Sequence, residues 1–366
     1  MKYYIIAGEA SGDLHGSNLV KELRKKDPGA VIRCWGGDKM EAAGALLVKH
    51  YRELAFMGFA EVIKNLPAIL RNLSFCKKDI LDFQPDVLVL IDYPGFNMRI
   101  AKWAHPQKIK IAWYISPQLW AWKENRVNAI KRDVDKMLVI LPFEKDFYKK
   151  HDYNVLYTGH PLAQVIADWK ADHPDTEKEN VIALLPGSRM QEIKVKLPIM
   201  LRVAEHFPEY IFTVARAPGL PENFYAEMLR PYKNVAAVSD QTYFLLARSK
   251  AALVTSGTAT LETALFGVPE IICYKGSKIS YEIAKRVIKI KFIGLVNLIM
   301  DREVVKELIQ DELTVENLVA GLRSLLEENE YTQKLEKDYA ELQALLSAGG
   351  RASENAAKEI YDLGRE

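Results

Sequence analysis

Apolar residues in this chain gather into short runs separated by longer stretches of helical periodicity. In the first half these runs are Tyr3–Ala7, Val31–Trp35, Val87–Asp92, Ile109–Ile115, Met137–Leu141 and Val155–Thr158. They are apolar almost throughout rather than alternating, as strands covered on both faces should be, so the pattern predicts a doubly wound parallel sheet. From Ala163 to Asn180 the pattern dissolves, ending in the polar, proline-containing ADHPDTEKEN, which predicts a linker. A second series follows with Val181–Leu185, Ile211–Ala215, Val235–Val238, Ala252–Thr255 and Ile271–Tyr274. The expected organisation is α/β: two doubly wound Rossmann-like domains facing a central cleft, the first over 1–165 and the second over 176–348. Beyond Asp301 the reading is helical, over Glu303–Ile309, Val315–Glu328 and Tyr331–Leu346, until Gly349 and Gly350 break it. The last segment, 351–366, is a candidate to complete the first domain.

The first run stops at AGEASGDLHG (Ala7–Gly16), a polar, glycine-marked turn that opens a helix. In a parallel sheet, ligands bind where strand carboxyl ends and helix N-termini converge, so this turn is a candidate site. Gly8, Gly12 and Gly16 match neither the dinucleotide nor the P-loop glycine spacing, which disfavours a dehydrogenase or an ATPase. Helix capping and substrate contact both fit Glu9, Ser11 and Asp13. Asp92 ends a wholly apolar strand just before Pro94, within DVLVLIDYPGFN, and apolar walls can raise a carboxyl pKa into a useful range, so Asp92 is the leading general-base candidate. WYISPQLWAWKENR (Trp113–Arg126) interleaves Trp120 and Trp122 with Lys123 and Arg126; sugar stacking, lipid contact, anion pairing and an ordinary aromatic core all fit it.

In the second half, LLPGSR (Leu184–Arg189) repeats the strand, glycine, helix device. Gly187 and Ser188 would offer free backbone N–H groups, and Arg189 a guanidinium, to a diphosphate. TSGTATLE (Thr255–Glu262) repeats it once more: Ser256, Gly257 and Thr258 allow close approach of a phosphate, and Glu262 could take ribose hydroxyls. Together they describe a nucleoside diphosphate held between two helix ends.

Composition narrows the class. The net charge of +2, from 50 Lys+Arg against 48 Asp+Glu, predicts no nucleic-acid partner. Three cysteines with no CxxC spacing, and histidines without paired ligand spacing, predict neither a disulfide framework nor a metal site; Asp133-Val-Asp135 reads as solvated ion pairing. No cofactor is expected. The cysteine usage fits a reducing cytoplasm. The first apolar run is interrupted too early for a signal peptide, and no stretch reaches the roughly 18 apolar residues of a spanning helix, so any membrane contact is expected from the surface. The segment Phe56–Lys78 places Phe59, Ile63, Leu66, Ile69, Leu70 and Leu73 near one helical face, with Lys64, Arg71, Lys77 and Lys78 close by. It reads either as a core-facing amphipathic helix or as an interfacial helix on an anionic bilayer.

With these pieces the chain resembles the lipid-A-disaccharide synthases, inverting glycosyltransferases of GT-B architecture. The likeness rests on AGEASGD (Ala7–Asp13), MGFAEV (Met57–Val62), IDYPGFN (Ile91–Asn97), YISPQLWAWKENR (Tyr114–Arg126), LPFEKDFY (Leu141–Tyr148), GHPL (Gly159–Leu162), LLPGSR and SGTATLE, which occur in family order across both domains. Two departures stand out: Gly95 replaces the second acid of the family's IDxPDFN, and the SLPN segment reads Gly294-Leu-Val296-Asn297. The resemblance implies transfer of a diacylated glucosamine from UDP-2,3-diacylglucosamine to 2,3-diacylglucosamine 1-phosphate, giving the β(1→6) disaccharide 1-phosphate and UDP. In that reading Asp92, Arg189, Glu9 and Asp13 are the catalytic residues: Asp92 is the base, Arg189 stabilises UDP, and Glu9 and Asp13, with Ser11 and Gly12, position the acceptor. Asn97, Trp120, Arg126, Gly187, Ser188, Ser256, Gly257, Thr258, Glu262 and Asn297 are substrate-binding candidates, and Ile63, Leu66, Ile69, Leu70 and Leu73 contact the anionic inner-membrane surface. A homodimer is compatible with this reading. Other GT-B enzymes, a wall N-acetylglucosaminyltransferase or a UDP-N-acetylglucosamine 2-epimerase, and a noncatalytic nucleotide-sugar binder are the alternatives.

Overall fold

The computed structural model describes residues 1–53, 66–277, 281–282, 285–286 and 290–366. The chain divides into two units, Met1–Gln164 with Leu346–Glu366, and Val165–Leu345. In the first, β1 (Lys2–Ala7), β2 (Val31–Gly36), β3 (Leu46–His50), β4 (Val87–Ile91), β5 (Lys110–Tyr114), β6 (Lys136–Val139) and β7 (Leu156–Tyr157) form one sheet in the order β3-β2-β1-β4-β5-β6-β7. In the second, β8 (Val181–Leu185), β9 (Ile211–Arg216), β10 (Val235–Ser239), β11 (Ala251–Thr255), β12 (Glu270–Tyr274) and β13 (Lys306–Ile309) run in the order β10-β9-β8-β11-β12-β13. Every pairing in both sheets is parallel. Each sheet grows one way from its first strand and then the other way, so a topological switch point lies between β1 and β4 and another between β8 and β11.

Three features depart from the sequence pattern. β3 was not expected: LLVKH is short, half-buried and ends in polar residues, as an edge strand can. The stretch Glu303–Ile309, expected as helix, supplies edge strand β13 instead, because Val304, Val305 and Leu308 bury themselves beside β12. The irregular segment expected from Ala163 is helical through Asp172, the helix Pro161–Asp172 carrying the chain across the division between units.

The first unit's core lies on both faces of its sheet. On one face the C-terminal helix Ala352–Leu363 packs Ala356, Ala357, Ile360 and Leu363 against Tyr3, Leu19, Val20 and Leu23. On the other lies Leu66–Phe83, whose residues Leu73, Cys76 and Ile80 are buried among Trp35, Leu88 and Leu90, with Ile69 packed alongside. This corrects the membrane assignment of Leu73 and Ile69: the apolar stripe at helical spacing faces the sheet, because burial there removes it from water. Leu70 and Phe75 are exposed. Ile63 lies outside the described residues, as does the segment Met57–Val62, and Leu66 begins the helix. Among the described residues, no helix is long and apolar enough to cross a membrane.

The return of the chain to the first unit is tight. A Cβ on Gly349 would lie 2.3 Å from the Gly159 nitrogen, and Asn355 ties the crossing by donating to the carbonyls of Thr158 and Gly349.

Candidate active site

Asp92 follows β4 at the switch point of the first sheet, directly beside the turn that follows β1, since Ala7 pairs with Ile91. Its backbone is left-handed (φ 42°), as is that of Tyr93 (φ 49°). Across from it Ile115 is also left-handed (φ 67°), a costly conformation for a β-branched residue, and accepts the Asp92 N–H at 3.2 Å. The strain is held in place by Asn97, fully buried, whose amide donates to the carbonyls of Asp92 (2.8 Å), Ile91 (3.3 Å) and Ile6 (3.5 Å). Asn97 thus clamps the ends of β1 and β4 together through its amide N–H groups, while its own buried side-chain oxygen has no partner within the protein. Burial, and secondarily the charge of Glu9, raise the Asp92 carboxyl to about 6, against a hydrogen bond from the Tyr93 N–H that favours the ionised form. A carboxylate of that affinity can take a proton near neutral pH.

The turn after β1 sorts into two kinds of residue. Glu9 and Ser11 are exposed in this turn, and the charge of Glu9 reaches Asp92. Asp13 is buried, and its carboxylate accepts the N–H groups of Gly37 (2.8 Å), Met40 (3.0 Å) and Lys39 (3.2 Å). This corrects the catalytic assignment of Asp13: its lone pairs are committed to the turn after β2. Gly12 lies against Ala7, Gly16 against the Met40 sulfur, and Gly8 beneath the Tyr93 ring, so these glycines serve close packing. Gly95 stands in open space, with nothing within 4 Å of where its Cβ would be.

Trp120 packs edge-on against Phe143, and Trp122 is exposed with Lys123 over its ring at 3.7 Å. Arg126 is half-buried in the same loop. Beneath this loop lies a group that the sequence did not single out. Glu144 is buried, accepts the N–H groups of Leu141 (3.0 Å) and Ile140 (3.3 Å), and has Trp120 and Ser116 beside it; burial raises its carboxyl to about 7. Ser116 in turn bonds the Tyr148 hydroxyl at 2.7 Å. Buried His15 and His160 are kept neutral, lowered to about 4 and about 3 by desolvation. The DVD pair is structural: Asp133 is buried against Arg132 rather than solvated, and Asp135 accepts the Ile111 N–H.

At the switch point of the second sheet, a pocket of about 290 Å³ opens between the turns after β8, β9 and β11. Gly187, Ser188, Ser256, Gly257, Thr258 and Glu262 line it together. Gly187 (φ 118°) and Gly257 (φ 148°) hold backbone geometries that side chains rarely adopt, and nothing lies within 4 Å of where a Gly257 Cβ would be. Arg189 caps the helix Met190–Val203, is exposed, and pairs with Glu192 at 3.4 Å; the other Glu192 oxygen lies 3.8 Å from buried Lys196. Glu262 is held above the usual carboxylate range by burial, with the Tyr243 hydroxyl favouring its charge. The Ser256 hydroxyl donates to the Ile293 carbonyl. Asn297 is likewise committed: it donates to Val305 and Glu307 and accepts from Val304 and Val305, all within 3.0 Å. Its expected substrate contact gives way to a structural one, holding the loop in which Gly294 sits against Ile272.

A family model for lipid-A-disaccharide synthetase matches residues 3–361. The chain belongs to the lipid-A-disaccharide synthetase family. Membership makes it an enzyme of lipid A biosynthesis, acting on nucleotide-sugar and lipid A precursor substrates. It is 38% identical to the lipid-A-disaccharide synthase of Geobacter metallireducens, with 99% of this chain and 97% of the relative covered. It is 34% identical to that of Coxiella burnetii, with 98% and 97% covered. Solved structures share the fold at low identity. A kitacinnamycin glycotransferase superposes with TM-score 0.69 at 14% identity, covering 99% of this chain and 98% of that one. The calicheamicin glycosyltransferase CalG4 gives 0.62 at 18%, covering 99% and 97%. The UDP-GlcNAc 2-epimerase of Neisseria meningitidis gives 0.64 at 15%, covering 99% of each chain. The fold is GT-B.

Proposed function

We propose that Asp92 is the general base of an inverting glycosyl transfer from UDP-2,3-diacylglucosamine to 2,3-diacylglucosamine 1-phosphate. Asp92 takes the proton of the acceptor's 6-hydroxyl as that oxygen attacks the anomeric carbon opposite the diphosphate. The new C–O bond forms as the bond to the β-phosphate breaks, UDP departs, and the β(1→6) disaccharide 1-phosphate remains. Glu9 and Ser11 orient the acceptor beside Asp92. The turns at Gly187-Ser188 and Gly257-Thr258 hold the diphosphate and stabilise its growing charge, and Glu262 takes the ribose. The observation carrying this reading is the raised, strained Asp92 at one switch point, in a chain that holds a glycine-turn pocket at the other.

Because both substrates carry acyl chains, the enzyme works as a peripheral protein on the cytoplasmic face of the inner membrane, and exposed Leu70 and Phe75 with nearby Arg71 and Lys78 are its contact surface. The test is mass spectrometry of the products formed from the two substrates, with UDP release followed in parallel. Disaccharide plus stoichiometric UDP is expected. Conversion of the UDP-sugar without acceptor would instead favour an epimerase, and binding without turnover a carrier.

A further inference from the structure

The pocket at the second switch point contains two polar side chains, Arg216 and Thr255, that the reading of the glycine turns gives no role. Arg216, the last residue of β9, lines it, and its Nε–H is buried with no partner. One terminal nitrogen is held by Glu222 at 2.8 Å, a carboxylate that is itself 82% exposed, so the guanidinium is braced from the solvent side. Thr255, the last residue of β11, also lines the pocket, and its buried hydroxyl lacks a partner too. Its methyl lies 3.6 Å from where a Gly187 Cβ would stand, so this side chain abuts the turn after β8.

Buried polar atoms are rarely left unpaired, and one donor and one hydroxyl orphaned in the same pocket mark where a ligand's oxygens belong. Charge indicates which oxygens. The pocket is also lined by Glu192 and Glu262, and Glu192 is neutralised from outside by Arg189 and Lys196. Arg189, the cation expected from sequence, is 58% exposed, committed to Glu192 and absent from the lining. Arg216 is the pocket-lining cation with an uncommitted N–H. Because β9 neighbours β8 on the side away from β11, its guanidinium meets an anion from the flank opposite the Gly257 turn.

Resting on the donor class proposed above, we propose that Arg216, with the Thr255 hydroxyl, binds the diphosphate of the donor and of departing UDP. A guanidinium with an N–H free and its far side fixed by a carboxylate is preorganised for a phosphate oxygen.

Binding of UDP and of uridine to the full-length enzyme, measured by calorimetry, separates this contact from the rest of the site. Arg216→Gln should weaken UDP binding about ten- to a hundredfold, the range for a lost charged hydrogen bond, and leave uridine binding unchanged. Arg216→Lys should recover part of the loss, and Thr255→Val should weaken UDP several-fold with uridine again unchanged. Unchanged uridine binding also certifies that each variant is folded. Wild-type UDP affinity in Arg216→Gln would overturn the proposal, as would an equal loss of UDP and uridine. Failure of the wild-type enzyme to bind UDP would instead remove the donor assignment on which the proposal stands.

Discussion

Asparagine in place of Asp92 preserves side-chain size and tolerates the left-handed backbone at this position, so the substitution tests charge rather than shape. Burial first, and Glu9 second, raise the carboxyl from 3.8 to about 6. Each unit corresponds to about 1.4 kcal/mol, so ionising Asp92 in the fold costs up to about 3 kcal/mol more than in the unfolded chain. The sign follows: a carboxyl raised by folding favours the native state while protonated, and that advantage is lost as pH rises from about 4 through about 6. Asp92→Asn should therefore be more stable than the wild type at pH 8, by at most about 3 kcal/mol in urea unfolding, with the gain shrinking towards pH 4. Turnover should move the other way. A general base contributes about 10²- to 10⁴-fold, so UDP release at pH 8 should fall by that factor, and the wild-type acid limb near pH 6 should vanish from the variant's profile. Glu9→Gln, which removes one of the two raising causes, should shift that limb to lower pH. Activity within tenfold of wild type in Asp92→Asn, or a limb near pH 6 that survives in it, would refute the base assignment. Equal stability of the two proteins at pH 8 would refute the burial argument.

Other residues give sharper structural tests. Glu144 sits at about 7, so its contribution to stability should be lost as pH rises from about 4.5 through 7; Glu144→Gln should flatten the pH dependence of the unfolding midpoint across that same window, between pH 4.5 and 7. Gly257→Ala places a side chain on a φ of 148°, and should cost about 1 kcal/mol or more of stability while raising the KM for the UDP-sugar; an unchanged KM would remove this turn from the donor site. Leu70→Ser with Phe75→Ser should release the protein from anionic vesicles, with a modest fall in thermal midpoint from the lost contact of the Phe75 ring with Trp35, whereas Leu73→Ala, in the core, should cost about 2–5 kcal/mol without releasing it.

How far the chain can be read without its structure depends on what kind of signal each feature leaves. Central strands were legible because burial on both faces demands runs such as Val87–Ile91 and Ala251–Thr255, which little else in a soluble protein produces. Edge strands β3 and β13 were not, because one flank meets solvent and their sequences admit charged residues. Polar residues at strand ends were legible as a set but not one by one. Asp13, Asn97 and Asn297 have the composition of site residues, and only the backbone groups they bond separate a clamp from a ligand contact. The helix Leu66–Phe83 shows the same limit, since a stripe of leucine and isoleucine is written identically for a sheet and for a bilayer.

The same sequence signal stands on both sheets. Asp92 is a charged residue closing an apolar run at a strand's carboxyl end. Arg216 closes Ile-Phe-Thr-Val-Ala-Arg in the same manner, with no glycine motif beside it to mark the position. The two sheets make the symmetry physical. In each, the switch point separates the first strand from the fourth, the place where open parallel sheets bind their ligands. The first sheet answers with an acid whose pKa is raised by its walls, the second with a guanidinium whose donor is left open. In the proposed mechanism, one topology thus carries a proton acceptor in one unit and an anion receptor in the other, the two functions that an inverting transfer from a nucleoside diphosphate sugar requires.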